Sequence, residues 1–337
     1  MTDGATQPAP SQSSAIAAGL ALVGDKLVAV EAEIRRNLTS PYGPIDEAGR
    51  YLATSGGKRL RPMLVLLSAG LLGYRGQDDV LLGAVTEVIH TATLVHDDII
   101  DDAVTRRGRT TTNRVFGNPF TVLLGDYLYI RSMNMALRAG QLRLIEILAE
   151  ATERMLEGEI LAERLRGRSD LTPAQHMEIV ERKTAWLISA CCRLAAVLSA
   201  ANLDVESRLA QFGMSLGIAF QLVDDLLDLT ADEATIGKPV ASDLREGRLT
   251  LPWIDLLERG DDDDRQGVLA VLREGSFESI SFRRLRMSLE KHGCLDRTRE
   301  LAAAHAERAR QLMLTFPPGP HRSVLLELPT AVLTREK

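Results

Sequence analysis

From about Ser14 onward, apolar residues return at helical spacing in one segment after another, with Pro- and Gly-rich turns between them. Helical patterning runs through Ile34 and stops at the turn Pro41 to Pro44. It resumes in the apolar run Leu64 to Leu72, and again from about Val80 to the acidic stretch Asp97 to Asp102. Beyond the loop Gly117-Asn-Pro119 come segments around Val122 to Tyr129 and Arg143 to Arg166, a turn at Gly167 to Pro173, and a segment through Glu181 to Trp186. The run Phe212 to Asp228 precedes a break at Gly237 to Val240. Asp261 to Asp264 reads as a solvated acidic loop, and helices follow around Phe277 to Lys291, Leu295 to Leu314 and Ser323 to Thr334. No strand-like alternation persists and no linker divides the chain. The expected architecture is all-α, a single large helical bundle over residues 15–337, behind a disordered Ser/Gln/Pro/Ala-rich tail at residues 1–14.

Composition narrows this picture. Hydrophobic residues make up 45% of the chain and aromatics only 4%, a Leu/Ala-rich balance that favours helix on helix. A net charge of -6 lacks the basic footprint of a nucleic-acid binder. Cys191, Cys192 and Cys294 offer neither a disulfide framework nor a zinc spacing, which fits a reducing cytoplasm. No window reaches the roughly 18 uncharged apolar residues of a spanning helix, and the first residues lack a basic signal-peptide region. A lipid substrate would have to be held inside the protein or met at a membrane surface, with transient membrane contact for product release.

The chemistry concentrates in two places. Asp97, Asp98 and Asp101 form a D-D-x-x-D group closing an apolar helical run, and Asp224, Asp225 and Asp228 repeat it. Residues four apart share a helix face, so Asp97 and Asp101 project side by side, as do Asp224 and Asp228. Adjacent anions on an apolar segment need a counter-charge, and Mg2+ takes carboxylate oxygens while sharing substrate phosphates. One such group alone reads equally well as a solvated helix end; two on facing helices would present up to six carboxylates to one cavity. Basic residues accompany both. Lys58, Arg59 and Arg61 crowd the start of a helix where cations are disfavoured unless an anion joins them, the other reading being an exposed basic loop. His90, seven residues before Asp97, falls on nearly the same face and is a candidate phosphate donor. Glu87-x-x-His90 would also suit half of a di-iron site, but no second E-x-x-H exists. Lys183 at the edge of an apolar run needs an anionic partner, and Gln221 shares a face with Asp224 and Asp228. Gly213 and Gly217 permit either close helix approach or room for a ligand.

Gly56-Gly-Lys-Arg-Leu-Arg-Pro62, His96-Asp-Asp-Ile-Ile-Asp101 with Arg106-Arg-Gly108, Lys183-Thr184, Gly217-x-x-Phe-Gln-x-x-Asp-Asp-x-x-Asp228 and Gly237-Lys-Pro239 with Asp243-Leu-Arg-Glu-Gly247 resemble the trans-isoprenyl diphosphate synthases, or polyprenyl synthetases, in order and spacing across roughly residues 15–335. The resemblance implies the all-α isoprenoid synthase fold, a homodimer, and head-to-tail condensation of isopentenyl diphosphate with an allylic diphosphate. It implies that Asp97, Asp101 and Asp224 ligate three Mg2+ ions, supported by Asp98, Asp225 and Asp228. Arg106, Lys183, Gln221 and Lys238 would hold the allylic diphosphate, with Thr184 near the reacting carbon. Lys58, Arg61, His90 and Arg107 would hold isopentenyl diphosphate. Arg248 stands where lysine is usual, and Trp186-Leu-Ile-Ser replaces the more usual Leu-Phe. Arg335 and Lys337 are basic residues without an assigned place.

In the family the growing chain descends from the first aspartate group along its helix. The first floor would be Thr93 and Ala92, both small, with Ile89 and Val88 a turn below and no aromatic to block elongation. The expectation is a product beyond C20, of the kind made for quinone side chains, and Ala92→Tyr should shorten it. A short-chain, geranylgeranyl-type synthase is the alternative. A terpene cyclase would lack the second D-D-x-x-D and the Gly-Gly-Lys-Arg loop, and a non-catalytic synthase subunit would have lost aspartates that are intact here.

Overall fold

The computed structural model of the chain describes residues 12–54, 57, 59–106, 108–230 and 240–335, with side chains from residue 17. Among these residues the architecture is helical apart from one two-residue β ladder. The helices are α1 (Gln12–Leu38), α2 (Gly43–Ala53), α3 (Leu60–Leu71), α4 (Asp78–Ile100), α5 (Thr112–Phe116), α6 (Asn118–Leu137), α7 (Leu142–Leu165), α8 (Pro173–Val180), α9 (Trp186–Leu198) and α10 (Leu203–Thr230). After α10 come α11 (Ser242–Arg245), α12 (Leu251–Arg259), α13 (Asp262–Glu274), α14 (Phe282–Lys291), α15 (Cys294–Leu314) and α16 (Pro320–Leu333). A π-helical turn, Glu181–Ala185, joins α8 to α9.

Burial explains why the bundle forms around α4 and α10. Val85, Val88, Ile89, Ala92 and Val95 on α4, and Phe212, Leu216, Ala219 and Leu222 on α10, are almost fully excluded from solvent. Each fully buried Leu, Val or Ile contributes about 1.5–3 kcal/mol relative to exposure, so these two helices are fixed before any polar contact is considered. α4 packs on α6, α3, α1 and α9, and α10 packs on α15, α9, the π turn and α16. Both D-D-x-x-D groups therefore sit at the ends of well-anchored helices.

Three glycines set the spacing. A Cβ on Gly213 would lie 2.7 Å from the Ser189 Cα, and one on Gly217 would lie 2.6 Å from the Ala185 Cα. Of the two readings of this pair, close helix approach is the one observed. Gly158 does the same for α7, where a Cβ would meet the Lys183 backbone nitrogen at 2.8 Å.

Several boundaries differ from the sequence expectation. α1 already runs from Gln12, while residues 1–11 of the expected tail lie outside the described residues. The ladder pairs Thr105 with Thr110 and Arg106 with Arg109, a hairpin too short to show alternation. The acidic run is solvated at Asp261, Asp262 and Asp263, as expected, but it opens a helix rather than forming a loop, and Asp264 is buried. Asp261 caps α13 in a capping box with Asp264, and Asp264, 2% exposed, accepts hydrogen bonds from Ser288 Oγ at 2.5 Å and His292 Nε2 at 3.0 Å. The segment expected to be helical from Phe277 becomes helical only at Phe282, where Ser281 supplies the N-cap.

Candidate active site

A cavity of about 1140 Å³ opens between α4, α7, the π turn, α10 and α16. Part of its wall is apolar, with Met63, Met155, Leu165, Val180, Ile188 and Phe220 among the lining residues. The rest is ionic. Asp97 and Asp101 from the first aspartate group and Asp224 and Asp225 from the second line the same space, as do Arg61, His90, Arg106, Lys183, Thr184 and Gln221. The expected carboxylates and cations thus converge although the sequence separates them widely.

The carboxylates fall into two classes. Asp97 is pushed up to about 6, first by burial and then by the neighbouring Glu159 and Asp101 carboxylates, against the pull of Lys183 and Arg106. Asp101, the C-cap of α4, is also raised by burial, but Arg248, Lys183 and Arg166 outweigh this and hold it below the usual range. Arg248 Nη1 lies 2.6 Å and Arg166 Nη2 3.0 Å from Asp101 Oδ1. Asp224 pairs with Arg335, whose guanidinium stacks 4.2 Å from the Phe220 ring centroid. The other three aspartates are committed to the protein. Asp98, raised by burial, is tied at 2.5 Å to Arg106 Nε and does not line the cavity. Asp228 likewise stays off the wall and accepts from Ser242 N, Ser242 Oγ and Asp243 N at 2.7–3.3 Å, anchoring α11. Asp225 is 3% exposed and bonded through both oxygens.

The basic residues are positioned by equally specific contacts. Arg59 adopts a left-handed backbone conformation (φ 51, ψ 33) just before α3. Its guanidinium bridges Glu31 on α1 and Glu87 on α4, the latter at 2.7 Å. Two carboxylates hold a conformation that non-glycine residues rarely adopt, and this pins the start of α3, where Arg61 points into the cavity. Glu87 is therefore a partner of Arg59 rather than an iron ligand. Lys183 finds its anionic partner in Glu159, 2.5 Å away on α7, and the π turn presents both Lys183 and Thr184 to the cavity. Lys58, Arg107 and Lys238 lie outside the described residues.

The chain-length residues divide. Thr93 lines the cavity, whereas Ala92, Ile89 and Val88 are 2%, 0% and 1% exposed in the core and are not on its wall. The rotational phase of α4 decides this: Thr93 shares a face with His90 and Asp97, which line the cavity, while Ala92 shares one with the buried Val88, Ile89 and Val95.

Four residues were not placed by sequence reasoning: Glu159, Arg166, His176 and Arg335. Gly158 was the available signal for Glu159, because a glycine in the middle of a long helix marks close approach. A lone His and isolated arginines carry no such mark.

The donor set fits a hard divalent cation. Asp97, Asp101 and Asp224 supply carboxylate oxygens only, the ligand type Mg2+ takes, and the raised Asp97 marks negative charge that a cation would relieve. Among the described residues, no helix is long and apolar enough to cross a membrane.

Comparison with known proteins agrees with this geometry. An octaprenyl diphosphate synthase of Escherichia coli (strain K12) is 34% identical over 316 residues, 94% of this chain and 98% of that protein. The crystal structure of a polyprenyl synthase from Caulobacter crescentus CB15, complexed with calcium and isoprenyl diphosphate, superposes with a TM-score of 0.91 at 32% identity, covering 98% of this chain and 100% of that one. A decaprenyl diphosphate synthase from Rhodobacter capsulatus gives a TM-score of 0.90 at 37% identity, covering 96% and 99%. The polyprenyl synthetase family model matches residues 43–284. The chain, a prenyltransferase with the all-α isoprenoid synthase fold, belongs to the polyprenyl synthetase family.

Proposed function

We propose that the protein condenses isopentenyl diphosphate head to tail with an allylic diphosphate, in the presence of Mg2+, to give an all-trans polyprenyl diphosphate longer than C20, of the quinone side-chain type. One observation carries this reading. Asp97, Asp101 and Asp224 line a single large cavity with Arg61, His90, Arg106 and Lys183, and much of the rest of its wall is apolar. Mg2+ would be held by Asp97, Asp101 and Asp224, with three ions implied by the family resemblance, and would neutralise charge developing on the departing diphosphate. Asp98, Asp225 and Asp228 serve as supports through their protein partners.

The residues then divide the work. Lys183 and Arg106, with Lys238, bind the allylic diphosphate. When its C–O bond breaks, the electron pair leaves with pyrophosphate, and these cations stabilise that charge. Arg61 and His90, with Lys58 and Arg107, bind isopentenyl diphosphate so that its double bond faces the allylic carbon. The new C–C bond leaves a tertiary cation, and loss of a proton to the released pyrophosphate restores a double bond. Met155, Leu165, Ile188 and Phe220 exclude water from the cationic stage. Thr93 leaves the upper wall open to a growing chain. The proposed homodimer would cover the large apolar side chains exposed on α6 and α7, among them Leu123, Ile130, Leu142 and Ile160. A cytoplasmic location, with passing membrane contact for product release, completes the proposal.

The test is incubation of the purified protein with Mg2+, farnesyl diphosphate and labelled isopentenyl diphosphate, followed by dephosphorylation and reversed-phase sizing. Labelled alcohols beyond C20 are expected. Products stopping at C20 would support a short-chain enzyme, and no labelled prenyl product from any allylic primer would refute the reaction.

A further inference from the structure

His176 lines the cavity from α8 but is 6% exposed and carries no substrate-binding role in the scheme above. Its Nε2 lies 3.2 Å from Asp225 Oδ2. The other carboxylate oxygen, Oδ1, accepts from Gln221 Nε2 at 2.9 Å. The Gln221 carbonyl, Oε1, accepts in turn from Thr184 Oγ1 at 2.8 Å. These four side chains form an unbroken hydrogen-bonded line from α8 through α10 to the π turn.

Donor and acceptor inventories give the line a direction. An ionised carboxylate only accepts, so each Asp225 oxygen requires a donor. The His176 Nε2–H satisfies one and the Gln221 amide N–H the other. Turning the Gln221 amide over would set its carbonyl against a buried carboxylate, two acceptors facing each other in a low-dielectric site. With the amide fixed, Oε1 faces Thr184, and the Thr184 hydroxyl must donate to it. The hydroxyl proton is then committed to Gln221, and what Thr184 has left for the cavity is the negative end of its dipole, the oxygen lone pairs.

We propose that His176 is a positioning residue that, through Asp225 and Gln221, orients the Thr184 hydroxyl so that its oxygen rather than its proton faces the cationic carbon. This rests on the reading that the cavity hosts an allylic cation, and it adds what fixes the dipole there. A preorganised dipole aimed at developing charge lowers the barrier without reorganising during the reaction. Without the His176 donor, Asp225 loses the contact that holds its Oδ2 and its carboxylate can turn away from Gln221 Nε2; only then can the Gln221 amide rotate and the Thr184 hydroxyl point its proton into the cavity. Substrate binding should change little, because Lys183, Arg106 and Lys238 hold the allylic diphosphate from outside this line, and Gln221 is its one member also assigned to that diphosphate.

The experiment is single-turnover condensation by the full-length protein with Mg2+, farnesyl diphosphate and isopentenyl diphosphate, each rate expressed relative to wild type. Wild-type turnover by itself tests the proposed function, so failure of that reading shows in the reference enzyme, before any variant is compared. His176→Phe, close in size but without a donor, should slow turnover about tenfold while leaving KM for both diphosphates within about twofold. His176→Gln, which restores an N–H, should recover most of the rate. The decisive comparison is with Thr184→Ala: the double variant should be no slower than Thr184→Ala alone, because the His176 effect is transmitted through that hydroxyl. Should the phenylalanine variant fail to fold by circular dichroism, His176→Leu is read in the same way. Additive losses in the double variant, an unchanged rate in the donor-less variant, or a parallel rise in either KM would overturn the proposal.

Discussion

Asp97→Asn should destroy activity and, in the metal-free protein, increase stability. The carboxyl is pushed from its ordinary 3.8 up to about 6, chiefly by burial, while Lys183 pulls it down, Glu159 and Asp101 push it up and Arg106 pulls it down. In the unfolded chain it titrates near its ordinary value, so between those two pH values folding takes up a proton. Stability therefore falls as pH rises through this window, and above about pH 6 the folded protein carries the full penalty of a charged Asp97. A displacement of that size corresponds to about 3 kcal/mol for a fully buried group. Asp97 keeps part of its side chain open to the cavity, and solvent screening there reduces the figure to about 1–2 kcal/mol. Asparagine matches the shape without the charge. The metal-free variant should then melt about 2–3 °C above wild type at pH 8, with the gap closing as pH is lowered toward 4. Thermal denaturation across pH 4–8, at fixed protein concentration and scan rate, measures this directly. Mg2+ with pyrophosphate should raise the wild-type midpoint more than the variant's. A variant less stable than wild type at pH 8, or a gap independent of pH, would refute the electrostatic argument.

Other outcomes follow from the packing and the caps. Gly217→Ala should destabilise the protein by about 1–3 kcal/mol in urea denaturation, because the new methyl would meet the Ala185 backbone rather than a side chain able to move. Asp264→Ala should lose about 2–4 kcal/mol, through the broken capping box and the stranded Ser288 and His292, while specific activity per folded molecule holds. Thr93→Tyr should shorten the product on reversed-phase chromatography more than Ala92→Tyr does, because Thr93 faces the cavity and Ala92 the core; equal shortening would place the tunnel on the other side of α4.

What could be read from sequence was what local pattern determines. The apolar periodicity of α4 and α10, each ending in D-D-x-x-D, located both helices and aligned Asp97 with Asp101 without any tertiary information. The glycine spacing of Gly213 and Gly217 announced close approach but left open what would approach. Other features depended on neighbours distant in the chain. Asp261 to Asp263 are exposed as their composition suggests, but whether Asp264 is solvated or buried is decided by Ser288 and His292, which are distant in the chain. The side chains of Ala92 and Thr93 differ little in size, so which one meets the cavity depends on how α4 is rotated against α6. His176 gained its meaning from Asp225, and Arg335 from Asp224, pairs that no helical repeat connects.

The central claim is that one cavity holds two diphosphates, one against carboxylate-bound metal and the other against the basic residues at the start of α3. It is tested most directly by a crystal structure with Mn2+ in place of Mg2+, a thiolo analogue of farnesyl diphosphate, and isopentenyl diphosphate. Anomalous density should lie against Asp97, Asp101 and Asp224, with the allylic analogue beside Lys183 and Arg106 and isopentenyl diphosphate beside Arg61 and His90. Metal density elsewhere, or both diphosphates bound away from these side chains, would contradict the account.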